Sequence, residues 1–156
     1  MKINRCLIII IIYIVSLILS LYYINYFGEI HIENASVSKK SKFQQTSYYI
    51  TNNLTVFLLL LLGVFTYRIT TIINIIVNGY IMGLFIIPLL NKVGIQFLVH
   101  GAIELLGLFI GAYIGFTKWD EIVINRKKYT FLLVLGAFLI IVAGILEGYV
   151  TPIISK

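Results

Sequence analysis

The first long run of apolar residues extends from Cys6 to Phe27, 22 residues without an acidic or basic side chain. A helix of about 20 apolar residues crosses the roughly 30 Å hydrocarbon core of a bilayer. Lys2 and Arg5 precede the run as in a signal peptide, but its apolar part is too long for one and no small-residue cleavage site follows. The run predicts an uncleaved membrane span whose N-terminus lies in the cytoplasm.

The composition extends this prediction to the rest of the chain. Of 156 residues, 60% are hydrophobic and 12% are charged, which is typical of a membrane protein and not of a soluble domain. The net charge of +6 does not indicate nucleic-acid binding, because the basic residues are scattered singly or in short groups between apolar runs. They are placed as charges that flank and orient membrane spans. The single cysteine, Cys6, excludes an intrachain disulfide.

The almost continuously apolar stretch 48–90 is too long for one span. As a single helix it would measure about 65 Å, twice the hydrocarbon thickness. A lone arginine is costly at the bilayer centre, so we expect the chain to turn at Arg68. The predicted spans are 6–27, 48–66, 71–90, 97–117 and 129–150, with an outer loop at 28–47 and a cytoplasmic loop at 118–128.

The predicted fold is an all-α, integral membrane helical bundle of five transmembrane helices that forms a single domain over residues 1–156. Five spans place the termini on opposite sides, and an N-in/C-out orientation puts the larger share of basic residues in the cytoplasm, as the positive-inside rule favours. The cytoplasmic set is Lys2, Arg5, Arg68, Lys118, Arg126, Lys127 and Lys128, and the outer set is Lys39, Lys40, Lys42, Lys92 and Lys156.

Several polar residues fall inside or beside these spans, where each costs on the order of 2–3 kcal/mol and is expected to face the bundle interior. The predicted intramembrane polar cluster is His100, Glu104, Glu147, Asn78, Asn53 and Thr151. Such groups act as interhelical hydrogen-bonding partners, as part of a substrate or proton path, or as a metal or catalytic site. The stretch "HGAIE" is not the His-Glu-x-x-His zinc pattern and no other histidine lies in a span, so we expect no catalytic residue, metal or cofactor.

Glycines recur at helical spacing in three of the predicted spans. Positions 100, 104, 107, 111 and 115 share one helix face. Glycines four residues apart let a neighbouring backbone approach closely. The predicted packing residues are Gly79, Gly83, Gly107, Gly111, Gly115, Gly144 and Gly148. We expect them to form a seam that joins the third, fourth and fifth spans.

Three stretches resemble the stage II sporulation protein M family. They are "NNLTVFLLLLLGVFTYRITTIINIIVNGYIMG" (52–83), "VHGAIELLGLFIGAYIG" (99–115) with its His-Gly-x-x-Glu pattern, and "AGILEGYVTP" (143–152). They occur in the family's order over about two-thirds of the chain. The resemblance maps the family's polar signature to Asn53, Asn78, Gly79, His100, Gly101, Glu104, Glu147, Thr151 and Pro152.

The resemblance implies a multi-pass protein of the bacterial plasma membrane without catalytic activity. Some members are implicated in the maturation or export of a hydrophobic peptide such as a circular bacteriocin. The namesake instead is implied to anchor cell-wall hydrolases during sporulation engulfment. The short N-terminal part of this chain favours the first role. The expected partners are the lipid bilayer and other membrane proteins, such as an ABC transporter or a peptide precursor, and no nucleic acid; self-association stays open. A transporter and an intramembrane hydrolase are the rival classes.

Overall fold

The computed structural model describes residues 4–27, 41–93 and 96–150, with the backbone alone at 88–93, 96–99 and 150. Regular structure in the described residues is entirely helical. The helices are α1 (Arg5–Phe27), α2 (Lys42–Leu61), α3 (Ile69–Val93), α4 (Gln96–Gly115), α5 (Trp119–Ile124) and α6 (Arg126–Ile145). A 3-10 turn, Leu62–Val64, continues α2, and a π turn, Leu146–Val150, continues α6.

Four of these segments are long and apolar enough to cross a membrane: Arg5–Phe27, Lys42–Val64, Ile69–Ile87 and Arg126–Tyr149. The remaining predicted span, 97–117, corresponds to α4, whose described apolar part, His100–Gly115, is shorter. Large aliphatic and aromatic side chains cover the outer surface of the bundle. An apolar exterior of this kind requires lipid rather than water around it.

The second helix begins earlier than the predicted span at 48–66. Ser41 caps it: the Ser41 hydroxyl accepts a hydrogen bond from the Gln44 backbone N–H at 3.3 Å, and the Gln44 side chain accepts one from the Ser41 N–H at 3.0 Å. This reciprocal pair satisfies two donors that a helix start leaves open. The outer loop predicted at 28–47 is therefore wrong for residues 42–47, which are helical, and residues 28–40 lie outside the described part.

The chain reverses between α2 and α3 at the lone arginine from which the turn was predicted. Tyr67 and Arg68 adopt left-handed backbone conformations, with φ of 51° and 73°. The Arg68 backbone N–H donates to the Gly63 carbonyl at 2.8 Å, and its Nε donates to the Phe116 carbonyl at 3.1 Å. A cation at the C-terminal end of α4 also complements the partial negative charge of that helix end.

The helices form two groups. One group is α1 packed along α3, and the other consists of α2, α4 and α6, each of which contacts the other two. At the centre of the second group, Phe57 is 2% exposed and fits against Gly111 of α4 and Gly136 of α6. The contacts between the two groups are fewer than the contacts within them.

One end of the bundle, which we call the basic end, holds the starts of α1, α3 and α6 and the ends of α2 and α4. The described basic residues of this end are Arg5, Arg68, Lys118, Arg126, Lys127 and Lys128. The predicted loop 118–128 lies here and contains α5 and the first residues of α6. At the opposite end, Lys42 and Lys92 are the basic residues of the described helices.

Candidate functional site

The glycines of α3 lie against α1. A Cβ atom on Gly79 would lie 2.8 Å from the Tyr13 carbonyl oxygen, and one on Gly83 would lie 2.7 Å from that of Leu17. Beside them, the Ser16 hydroxyl of α1 donates to the Ile76 carbonyl at 2.5 Å. The prediction that these glycines face the fourth and fifth spans is wrong. Glycine spacing indicates which face of a helix allows close packing, but it does not indicate which helix packs there.

The glycines of α4 contact two different helices. Gly107 lies against α6, where an added Cβ would meet Ile140 at 3.0 Å and the Gly136 carbonyl at 3.1 Å. Gly111 lies against Phe57 of α2, and Gly115 lies against the Leu60 carbonyl at the end of α2. The α4 glycine face is therefore shared between α2 and α6.

The glycines near the end of α6 face α2. An added Cβ on Gly144 would lie 2.6 Å from Cγ1 of Ile50, and one on Gly148 would meet Thr46. Only Gly107 among the predicted glycines thus joins the fourth span directly to the last helix. The predicted common seam is replaced by an α1–α3 seam and by separate glycine contacts among α2, α4 and α6.

Three of the predicted polar residues meet within the group of α2, α4 and α6. They lie in the half of the bundle that is farther from the basic end. Asn53 of α2 is buried at 8% exposure, and its side chain is placed to interact with the Glu104 carboxyl group of α4. Asn52 donates to the Asn53 side-chain oxygen at 3.2 Å. Glu147, in the π turn after α6, is close enough to Glu104 to interact with it electrostatically. Three helices thus contribute to one polar centre.

The other predicted members of the cluster are Asn78, His100 and Thr151. The Asn78 amide of α3 donates to the Asn74 carbonyl of its own helix at 2.8 Å. His100 is buried at 5% exposure. Thr151 lies outside the described residues. Within the described part, no group of three or more His, Cys, Asp or Glu residues could hold a metal ion.

A lateral cleft lies where the two helix groups meet, between α3 and α4. Its volume is about 220 Å³. Its lining residues are Tyr13, Asn78, Ile81, Met82, Phe85, Gly101, Glu104, Leu105 and Leu108. The walls are mostly apolar, with the Glu104 carboxyl, the Asn78 amide and the Tyr13 hydroxyl as polar groups. Such a cleft can hold an apolar ligand that also offers hydrogen-bonding groups.

A second polar cluster, at the basic end, was not predicted. Arg5 pairs with both carboxylate oxygens of Glu121, and its Nη1 also donates to Thr117 at 3.1 Å. The Tyr129 hydroxyl donates to Glu121 at 2.6 Å. The Arg5 hydrogen bond, followed by that from Tyr129, lowers the pKa of Glu121 to about 2. This cluster fastens the start of α1 to α5 and α6.

The sequence matches a profile of the family described as stage II sporulation protein M over residues 6–152. The match covers nearly the whole chain. The chain belongs to this family. Some of the residues through which the sequence resembles it meet in this family member: Gly101, Glu104 and Asn78 line the lateral cleft, and the Asn53 side chain interacts with Glu104.

A curated relative of this family member is an uncharacterized protein of Methanocaldococcus jannaschii. It is 31% identical over 125 residues, and the match covers 68% of this chain and 70% of the relative. No solved structure matches this chain. The comparisons therefore give family membership without a described activity.

Proposed function

We propose that this chain is a non-enzymatic, multi-pass component of a plasma-membrane complex that matures or exports a hydrophobic peptide, such as a circular bacteriocin. The observation that carries the proposal is the lateral cleft between α3 and α4. It combines apolar walls with three polar side chains, Tyr13, Asn78 and Glu104, at the junction of the two helix groups. An apolar peptide segment matches these walls, and its backbone N–H and C=O groups match the carboxyl and amide.

The proposed topology has five spans with the N-terminus inside and the C-terminus outside. It is supported by the distribution of charge, since the basic end carries six described Lys and Arg residues (Arg5, Arg68, Lys118, Arg126, Lys127 and Lys128). Basic residues near short connections stay preferentially in the cytoplasm. In this orientation the lateral cleft lies in the outer half of the membrane, because Gly101 and Glu104 are near the α4 start at the opposite end.

The absence of enzymatic activity is part of the proposal. The polar centre consists of one amide, Asn53, and two carboxyl groups, Glu104 and Glu147. None of these three side chains is a serine or cysteine nucleophile. Amides and carboxyls that bond one another across helices are typical of groups that hold membrane helices together. The partners proposed for this assembly are an ABC-type transporter and the peptide precursor.

A cleft-filling substitution tests the proposal in cells. Ile81→Trp places a large ring at the cleft, and Val15→Trp places the same ring on α1. Ile81 and Val15 are exposed at 48% and 50%. They lie at about the same depth, because α1 and α3 run in the same direction with Tyr13 beside Gly79. Each variant replaces the native chain in a producing strain, and the exported peptide is quantified.

We expect Ile81→Trp to reduce the exported peptide at least fivefold at unchanged membrane abundance, with Val15→Trp near wild type. Equal export from both variants contradicts the use of the cleft. The DNA that flanks the gene gives an independent test: an ABC-type ATPase gene and a short hydrophobic peptide gene support the proposal. Sporulation or wall-hydrolase genes in their place favour an engulfment scaffold.

A further inference from the structure

Two further cavities lie side by side at the basic end, along α6. The more apolar of the two, here the interfacial groove, has a volume of about 320 Å³. Its lining residues are Leu61, Val64, Phe65, Ile114, Trp119, Ile122, Arg126, Tyr129, Thr130 and Leu133. Its walls come from the ends of α2 and α4 and from α5 and α6, and they are almost entirely apolar.

The neighbouring cavity, here the cationic recess, shares two residues with the interfacial groove. It is lined by Arg126, Lys127, Thr130, Phe131 and Val134. Arg126 and Thr130 therefore lie between the interfacial groove on one side and the cationic recess on the other.

The charges of the recess are not neutralised by the acidic residues nearby. Glu121 is already bound by Arg5 and Tyr129. Lys128 lies over the rings of Tyr113 and Tyr129, at 5.6 Å and 5.3 Å from the ring centroids. Among the described residues, Arg5 and Glu121 form the one ion pair. Arg126 and Lys127 therefore have no carboxylate partner within the described part of the chain.

The position of these residues relative to the membrane follows from their neighbours. Phe131 and Val134 are 65% and 60% exposed, as lipid-facing side chains are, and they come about one and two turns after the cations on α6. Trp119 packs against Phe65 at 5.3 Å between ring centroids, on the rim of the groove. Tryptophan and other aromatic residues concentrate at the level of lipid headgroups.

We infer that this face binds one anionic phospholipid. The phosphate of the headgroup lies in the cationic recess against Arg126 and Lys127, with the Thr130 hydroxyl as a further donor. One acyl chain lies in the interfacial groove. A guanidinium and an ammonium are suited to a phosphate, and basic hollows beside membrane helices are suited to acidic headgroups. The inference does not depend on the proposed peptide cargo, because the two cavities are separate from the lateral cleft.

Lipid binding to the purified full chain in neutral detergent tests the inference. The chain is titrated with phosphatidylglycerol, with phosphatidylcholine of the same acyl chains, and with inorganic phosphate, and bound lipid is counted by native mass spectrometry. The variant is the double substitution Arg126→Gln with Lys127→Gln. The charge-matched control is Lys118→Gln with Lys42→Gln, which removes two cations that line neither cavity.

We expect a one-to-one complex with phosphatidylglycerol that the double substitution weakens by about tenfold or more, with the control pair close to wild type. Circular dichroism checks that both proteins keep their helix content. Equal binding of phosphatidylcholine overturns the inference, and so does equal weakening by the control pair. Saturation by inorganic phosphate at the same concentration also overturns it, since a phosphate site would not need the interfacial groove.

Discussion

Arg5 and Glu121 are 116 positions apart in the chain, yet the Arg5 guanidinium contacts both oxygens of the Glu121 carboxylate. The pair connects the first residue of α1 with the short helix α5. Since α1 otherwise packs mainly on α3, this contact is a principal link between the two helix groups at the basic end. It holds the groups together at the end away from the opening of the lateral cleft.

The stability contributed by Glu121 depends on pH. Its pKa in the folded chain is lowered from 4.5 to about 2. A lowered pKa means that the stabilisation is complete above pH 4.5 and is lost as the pH falls from there through about 2. Glu121→Gln is therefore expected to lower the free energy of unfolding by about 1 kcal/mol or less at pH 7, because the pair is partly exposed to solvent. Thermal unfolding in detergent at pH 7 and at pH 2.5 measures this.

The matched control for this experiment is Asp120→Asn on the same helix. Asp120 is exposed and directly precedes Glu121. The Asp120→Asn substitution therefore removes one negative charge from the same helix and leaves the Arg5 contact in place. We expect its unfolding midpoint to follow that of the native chain at both pH values. A Glu121→Gln effect of the same size at pH 2.5 as at pH 7 would show that the lost contact is not ionic.

The contact of Gly111 with Phe57 predicts a size limit on α4. A Cβ on Gly111 would lie 2.7 Å from Cδ2 of the Phe57 ring, which is itself held by Gly136. Gly111→Ala is expected to cost about 1–3 kcal/mol through overpacking. Gly101→Ala is the control, because its nearest neighbour would be the Met82 methyl at 3.9 Å. The free energy of unfolding of both variants is measured in detergent.

A compensating substitution makes the Gly111 result specific. Phe57→Leu shortens the ring side chain and gives the added methyl group space. The double variant is expected to regain part of the stability that Gly111→Ala loses. If the double variant loses the sum of the free energies of unfolding that the two single variants lose, the added methyl group does not clash with the Phe57 ring.

The junction between α2 and α3 depends on the hydroxyl group of Thr71. This side chain is fully buried and donates to the Leu60 carbonyl at 2.7 Å, where the 3-10 turn begins to replace α2. Thr71→Val keeps the shape but leaves that carbonyl unpaired, at an expected cost of about 1–3 kcal/mol. Thr55→Val removes an exposed hydroxyl that bonds within its own helix, and we expect nearly no change. Chemical or thermal unfolding measures the stability of both variants. Equal losses of stability would contradict the claim that the Thr71 hydroxyl stabilises the junction.

The Glu104–Asn53 contact distinguishes a hydrogen-bonding role from an ionic one. Glu104→Gln retains a group that can bond the buried Asn53 amide, whereas Glu104→Leu leaves the amide without it. We expect the glutamine variant to fold and export peptide nearly as the native chain does. The leucine variant is expected to lose about 1–3 kcal/mol of stability. Loss of export by a stably folded glutamine variant would favour a proton or substrate path through Glu104.

Local sequence signals predicted the all-helical class of this chain and the position of one turn. The length of apolar runs indicated membrane helices, and Arg68 marked the reversal that two left-handed residues produce. The start of α2 could also have been predicted, because Ser41 followed by Gln44 is a capping-box pattern. That signal was missed when charge alone was used to delimit the outer loop.

The partners of each helix face could not be predicted in the same way. Glycine spacing identified the close faces of α3, α4 and α6, but Gly79 could equally have met any neighbouring helix. Phe57 is one of many apolar residues in its run, and nothing local marks it as the side chain placed between two glycines. The Arg5–Glu121 pair depends on a separation of 116 positions, which only the three-dimensional arrangement brings together.

Photo-crosslinking from the lateral cleft tests the proposed function most directly. A photoreactive amino acid is placed at Ile81 in one strain and at the equally exposed Val15 in another, and the crosslinked species are identified by mass spectrometry from intact cells. The account predicts that Ile81 captures a hydrophobic peptide precursor that Val15 does not. Capture of lipid alone at both positions would contradict the proposed role of the cleft.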